Sequence, residues 1–185
     1  MRVSREKAAE NRRRIVEAAA RLFRDDGFDG VGVDAIMKEA NLTHGGFYGH
    51  FASKDALMAE AMAHALDRSM AWQERLGSLS ELVAGYLSDR HRADRANGCA
   101  VAALGADVAR QSPALRRTVT AGVRHQIDRI VSLLKRGTPA ARRRRALATY
   151  AGMVGALTLA RAVDDPALAR EILTAARDAF GKDSA

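Results

Sequence analysis

The chain has 185 residues, enough for one domain or a small domain joined to a larger one, and its 48% hydrophobic content allows a sizeable buried core. Three prolines and 5% aromatic residues, against abundant Ala, Leu and Arg, favour helix almost everywhere. No stretch approaches the ~18 apolar residues that span a bilayer, the basic start MRVSREKAAENRRR has no apolar run behind it, and a lone Cys99 excludes an intrachain disulfide. The expectation is a cytoplasmic protein without membrane contact.

The formal net charge of +8 invites a nucleic-acid reading, but its distribution matters more than its size. Residues 1–60 carry ten Lys/Arg and ten Asp/Glu, so the excess lies further along. Local clusters remain: Arg2, Arg5, Lys7, Arg12, Arg13 and Arg14 against Glu6 and Glu10, and six cations without an acid over Lys135–Arg145. A solvated helix start accounts for the second cluster.

In chain order, Ile15, Ala18, Ala19, Leu22 and Phe23 form a helical stripe that predicts a first helix over 7–26, with Gly27 as its stop. A short second helix is expected over 34–40. Asn41 follows as a residue that tolerates the left-handed conformation, and Thr43 stands where it can cap a third helix over 44–51. Ser53 is a good cap for a fourth helix, from Lys54 to about Leu76. Two short helices joined by a three-residue turn make a helix-turn-helix. Its core is expected from Ile15, Leu22, Phe23, Ile36, Ala40, Leu42, Phe47 and Phe51. A generic three-helix bundle shows the same stripe. Further helices are expected at 80–88, 99–111, 113–136, 139–163 and 166–180, the last three led by Pro113, Pro139 and Pro166 at helix starts. DRHRADRANG (89–98) is polar and reads as a mobile loop. The fold class is all-α, with about nine helices, no strand signal and no repeats.

The stretch GFDGVGVDAIMKEANLTHGGFYGHFASKDAL, residues 27–57, resembles the signature of the TetR family of transcriptional regulators. Val33, Ile36, Ala40, Leu42, Thr43, Gly45, Phe47, Tyr48, His50, Phe51, Ser53, Lys54, Asp55 and Leu57 fall in place. Gly32 departs where the family often has a capping Ser or Thr, Met37 replaces a small residue, and Asn41 replaces the usual glycine. The resemblance is dense over about 30 residues and loose over the first 60. It implies a helix-turn-helix DNA-binding domain (1–53) and a helical ligand-binding and dimerisation domain (54–185).

Gly45, Gly46 and Gly49 within five positions break helix propensity by roughly 1 kcal/mol each, for which close approach of backbone to DNA is the simplest reason. A short helix held only by tertiary packing is the alternative. Base readout then falls to Thr43, His44 and Tyr48, with DNA shape supplying the remaining specificity. Lys54, a cation in a first helical turn, opposes the helix dipole and suggests a phosphate contact beside free backbone N–H groups. The resemblance implies the same for Lys54, and phosphate contacts for Tyr48 and His50; a packed core histidine is the other reading of His50. Arg2 and Arg5 form an arm that could enter a minor groove or remain a plain basic tail.

One helix-turn-helix reads too few base pairs alone, so a second copy is expected. Leu147, Ala151, Val154, Gly155 and Thr158 form one stripe, and Leu168, Ile172, Ala175 and Ala179 another, at heptad-like spacing. Intrachain packing explains these stripes too. The run GALTLARAVDDPALAREIL resembles the family's dimerisation helices, which implies a homodimer with a four-helix interface. The family also encloses a small-molecule effector between its central helices; Trp72, Tyr86, Leu104, Val108, His125 and Tyr150 are candidates for that wall, although plain core explains each. Cys99, at an expected helix start, is a possible redox or electrophile sensor or a small buried hydrophobe. No catalytic constellation, metal spacing or cofactor motif is apparent, and His44 and His50 lie on different helix faces. The expected function is a repressor that binds a pseudo-palindromic operator as a dimer and is released by a small molecule. Release through Cys99, or an activator with the same head, are the alternatives.

Overall fold

The computed structural model describes residues 5–182, and among them every regular element is a helix. The order is α1 (Arg5–Gly30), α2 (Val33–Glu39), a 3₁₀ helix η1 (His44–Gly49), α3 (Lys54–Gln73), α4 (Leu79–Tyr86), α5 (Asp89–Ala93), α6 (Ala100–Val108), α7 (Pro113–Leu133), α8 (Pro139–Ala162) and α9 (Pro166–Phe180). No described helix is long and apolar enough to cross a membrane.

Local chemistry sets most boundaries. Ser53, Ser78, Ser88, Ser112, Thr138 and Asp165 each accept a hydrogen bond from a first-turn backbone N–H, the usual role of an N-cap. Three of these caps precede a proline, whose missing N–H costs nothing in a first turn. Gly27 breaks α1 with φ +78, so Phe28–Gly30 form a separate turn. Asn41 adopts φ +53, as a tight inter-helix turn requires.

Two apolar clusters hold the fold. The first joins α1, α2, η1, α3 and α6, with Ile15, Phe23, Ile36, Phe47 and Leu57 nearly inaccessible; Ala40 and Phe51 are buried too, and Leu22 and Leu42 are half-buried against it. The second joins α4, α7, α8 and α9 around Leu82, Leu87, Ile130, Met153 and Leu157. Burying such side chains stabilises the fold by roughly 1.5–3 kcal/mol each.

Three expectations need correction. The third helix is a 3₁₀ segment, and Thr43 stands at its N-cap without a side-chain bond to it. Three glycines in six residues leave too little propensity for an α-helical turn. The 89–98 segment is not a mobile loop: it contains α5, a tenth helix among the described residues. Ser88 caps it, and Arg161 of α8 donates to the carbonyls of His91 (2.7 Å) and Arg92 (3.2 Å).

Candidate nucleic-acid interface and adjoining cavity

Asn41 turns the chain so that η1 follows α2 closely, and Phe47 anchors η1 in the core between Tyr48 (edge-on, 5.2 Å between centroids) and Phe51 (stacked, 5.8 Å). That anchorage leaves Thr43, His44, Gly45, Tyr48 and Gly49 exposed on one side; Gly46 and His50 are half-buried. A Cβ added at Gly45 or Gly49 would meet nothing within 4 Å, so the backbone is bare there, while one at Gly46 would touch Met37 Cε at 3.6 Å. Met37, a departure from the family pattern, is buried and fills the space beneath Gly46. Gly32 provides no side-chain cap to α2.

The His44 Nδ1 edge meets the Asp34 carboxylate, which ties η1 to α2 and leaves Nε2 on the outer face. Lys54 sits differently from the expectation for an isolated helix start. Its Nζ donates to the Phe28 carbonyl at 2.6 Å and lies 5.9 Å from the Phe23 ring, so the amine closes the broken end of α1. A lysine at a helix C-terminus agrees with the dipole of that helix, which offsets its mismatch with α3. Two of its three protons are not spent on that bond. Arg5 is exposed at the start of α1, and Arg2 lies outside the described residues.

Sequence reasoning missed Arg12. Its guanidinium reaches Glu60 of α3 (2.5 and 3.3 Å), donates to the His50 carbonyl and lies 4.1 Å over the Phe51 ring. It thereby sets α1, the end of η1 and α3 relative to one another. No sequence pattern links positions 48 apart.

A cavity of about 280 Å³ opens beside α1, lined by α3, α4, α5 and the turn that follows. Of the six expected wall residues, Trp72 and Tyr86 line it. Tyr150 is buried behind the wall, beside Cys99. Leu104 and Val108 do not line it, because α6 turns them into the first apolar cluster, against α1. His125 does not either; it is exposed on α7. The remaining wall includes Arg24, Arg68, Ser69, Arg90, His91, Asp94 and Asn97, polar residues drawn from separate elements. Trp72 packs the Cζ2–Cη2 edge of its ring against α4: a Cβ at Gly85 would come within 2.7 Å of it, so only glycine admits it.

The electrostatics of the wall are fixed by burial. Arg24 is 5% exposed; its Nε donates to the Ala96 carbonyl at 2.7 Å, and desolvation, then the nearby Arg68 charge, pull its pKa down to about 10. His91 accepts from the Cys99 backbone N–H at Nε2 (2.9 Å) and so donates from Nδ1 to the Tyr86 carbonyl (2.6 Å). These bonds fix the neutral tautomer, and burial lowers its pKa. Tyr86 and Tyr150 are kept neutral by burial, with the adjacent Cys99 as a second cause. Cys99 is buried.

Helices α8 and α9 expose apolar residues. Leu147, Ala151, Gly155 and Thr158, with Leu168, Ala175 and Ala179, are exposed, and Val154 and Ile172 are half-buried. The intrachain face of α8 is a separate stripe, Ala146, Tyr150, Met153, Leu157 and Ala160. Among the described residues the exposed large hydrophobics are Tyr48 on η1 and Leu147, Leu159 and Leu168 on these two helices.

The described residues form an all-helical chain whose first elements make a helix-turn-helix of the kind found in bacterial regulatory proteins. The model of the family described as "Bacterial regulatory proteins, tetR family" matches residues 15–61. Over 79 residues the chain is 34% identical to the A-factor receptor protein of Streptomyces griseus, an alignment that covers 43% of this chain and 28% of that one. Over 64 residues it is 34% identical to the regulator UidR of Escherichia coli K12, covering 35% and 33% of the two chains. The alignments thus span about a third or less of these curated relatives. The fold likeness is longer. A TetR-family regulator from Cytophaga hutchinsonii superposes with a TM-score of 0.76 at 22% identity over 97% of this chain and 96% of that one. One from Chloroflexus aurantiacus gives 0.72 at 26% identity over 94% and 95%. Residues 15–61 thus match the DNA-binding unit of the TetR family, and the whole chain has the fold of TetR-family regulators.

Proposed function

We propose that the protein is a cytoplasmic repressor that binds a pseudo-palindromic operator as a homodimer and is released by a small molecule held in the cavity beside α1. One observation carries the reading: the cavity wall is fastened to the first helix of the DNA-binding unit. Arg24 of α1 donates to the Ala96 carbonyl, and Arg95 reaches Asp25 at 3.4 Å, so the 94–98 turn both lines the cavity and holds α1. A molecule that binds one arrangement of that turn better than another shifts the DNA-binding units by its differential affinity.

In this reading the chain divides into a DNA-binding domain over 1–53 and a regulatory and dimerisation domain over 54–185. Thr43 and the Nε2 edge of His44 meet bases, Gly45, Gly46 and Gly49 let the backbone approach, and Tyr48, His50, Lys54 and the Arg2–Arg5 arm serve phosphates. The exposed apolar stripes of α8 and α9 meet their copies across a two-fold axis, covering leucines that water otherwise faces. Burial of Cys99 favours the ligand route over the thiol route.

Selection from a random duplex pool tests the reading. It should recover half-sites about 34–36 Å apart, or a multiple, occupied by two chains. Recovery of single, non-repeated sites bound by one chain contradicts it. Repression is then read from a reporter whose promoter overlaps the recovered site; higher expression with the protein present supports the activator alternative.

A further inference from the structure

Arg24, Arg68 and Arg90 line the same cavity, and none of them forms an ion pair with a described residue. Exposed arginines without partners are ordinary, and Arg68 and Arg90 are exposed. Arg24 is not ordinary. Its guanidinium is taken out of water, donates from Nε to one backbone carbonyl, forms no ion pair with a described residue, and feels the Arg68 cation more strongly than the Asp94 carboxylate. A buried charge is normally paired. The acid in the wall, Asp94, accepts from the backbone N–H (3.2 Å) and the amide (3.0 Å) of Asn97 rather than from an arginine. His91 adds no charge, since its two hydrogen bonds hold it neutral. The cavity is therefore a positively charged recess with one aromatic wall.

We propose that the effector is a small organic anion, its acid group gripped by Arg24 and Arg68 and its apolar body laid against Trp72. Guanidinium groups present planar forks that match a carboxylate in two-point contact, and Arg90 adds long-range attraction at the rim. Trp72, whose ring edge seats against Gly85, lines the cavity and supplies an apolar surface that inorganic anions cannot use. The assignment rests on the reading of this cavity as the effector site, and it adds a route. The guanidinium that meets the anion belongs to α1 and also holds the 94–98 turn, so ligand charge acts directly on the DNA-binding unit.

Trp72 is the sole tryptophan in the chain, so its fluorescence reports occupancy without a label. Full-length protein is titrated with phenylacetate and octanoate, with the matching neutral amides, and with inorganic phosphate. The carboxylates should bind at least tenfold more tightly than the amides, weaken as salt rises, and outcompete phosphate. Arg68→Gln, at an exposed position, should bring the carboxylates to the level of the amides without lowering amide affinity or the melting temperature, since it removes a like charge beside Arg24. Arg24→Lys should weaken carboxylates more than amides.

Equal binding of acids and amides by the wild type overturns the proposal. So does an undiminished preference in Arg68→Gln, phosphate binding as tight as the carboxylates, or no carboxylate effect on Trp72. Each titration is repeated with the selected operator bound. Carboxylate binding that leaves operator affinity unchanged refutes the ligand-released repressor and leaves the anion assignment standing. Release by amides as readily as by acids does the reverse.

Discussion

The arginines around the DNA-binding unit and those around the cavity are treated in opposite ways. In the first region Arg12 is paired with Glu60, Arg21 with Glu39 (3.1 Å) and Arg13 with Glu17 (3.8 Å). These pairs are largely exposed and contribute little stability individually, so their effect is orientation. In the cavity Arg24 is buried and Arg68 stands near it, and among the described residues neither forms an ion pair. The contrast teaches where each region expects its counter-charge. The helix-turn-helix unit, with balanced charge, uses its cations to hold its helices in place and leaves bare backbone, hydroxyls and a few remaining cations exposed. The cavity leaves its cations without acidic partners among the described residues, as the proposed anionic effector requires.

Several substitutions break or sharpen that contrast. Phe47→Ala should have the largest effect, because it empties the anchor of η1 and costs about 3–5 kcal/mol. Thermal or urea unfolding reads it, and a loss below about 1 kcal/mol would mean η1 is held by its charged neighbours instead. Gly155→Asp should dissociate the dimer while leaving monomer stability nearly unchanged, since a side chain there meets nothing within its own chain. Sedimentation at micromolar concentration decides; a stable dimer would place the interface away from α8.

Lys54→Ala tests whether one cation serves both purposes. Loss of the bond to Phe28 should destabilise the fold by about 1 kcal/mol. Loss of a phosphate contact should lower the salt slope of DNA binding by about 1 for all sequences alike. A lower melting temperature with an unaltered slope assigns Lys54 to the end of α1 alone.

His91 gives the smallest effect. Its pKa is lowered in the folded chain by burial, opposed by the Tyr86 carbonyl and reinforced by Arg161. The unfolded chain therefore binds a proton that the folded chain resists. The stability contributed by neutral His91 is present above its ordinary value near 6.5 and is lost as pH falls below it. Melting temperatures recorded from pH 7.5 to 5 should drop more steeply for the wild type than for His91→Asn. Parallel curves would show that other groups govern the acid limb.

The helix-turn-helix was readable because its determinants are local. The stripe from Ile15 to Phe23, the turn at Asn41 and the cap at Ser53 each act within a few residues. The same holds for the helices led by Pro113, Pro139 and Pro166. The glycines of η1 signalled an irregular element, though not that it would tighten into a 3₁₀ turn. Segment 89–98 was opaque because it is ordered by Arg161 and Arg24, which lie far from it in the chain. The cavity wall was opaque for the same reason: its cations come from α1, α3 and α5, and nothing in the pattern around Arg24 marks it as buried. On α8 two apolar faces coexist, Tyr150 with Met153 inward and Leu147 with Ala151 outward, so periodicity alone could not tell core from surface. Only the resemblance of the C-terminal run pointed to the outer face as an interface.

The cavity and the helix-turn-helix unit share Arg24, and the proposed coupling between them runs through it. Operator affinity, measured by fluorescence anisotropy with and without enough phenylacetate to saturate the Trp72 signal, tests it most directly. Filling the cavity should weaken operator binding by about 5- to 150-fold, the range of 1–3 kcal/mol of coupling. An operator affinity that stays the same while Trp72 reports a full cavity would contradict it.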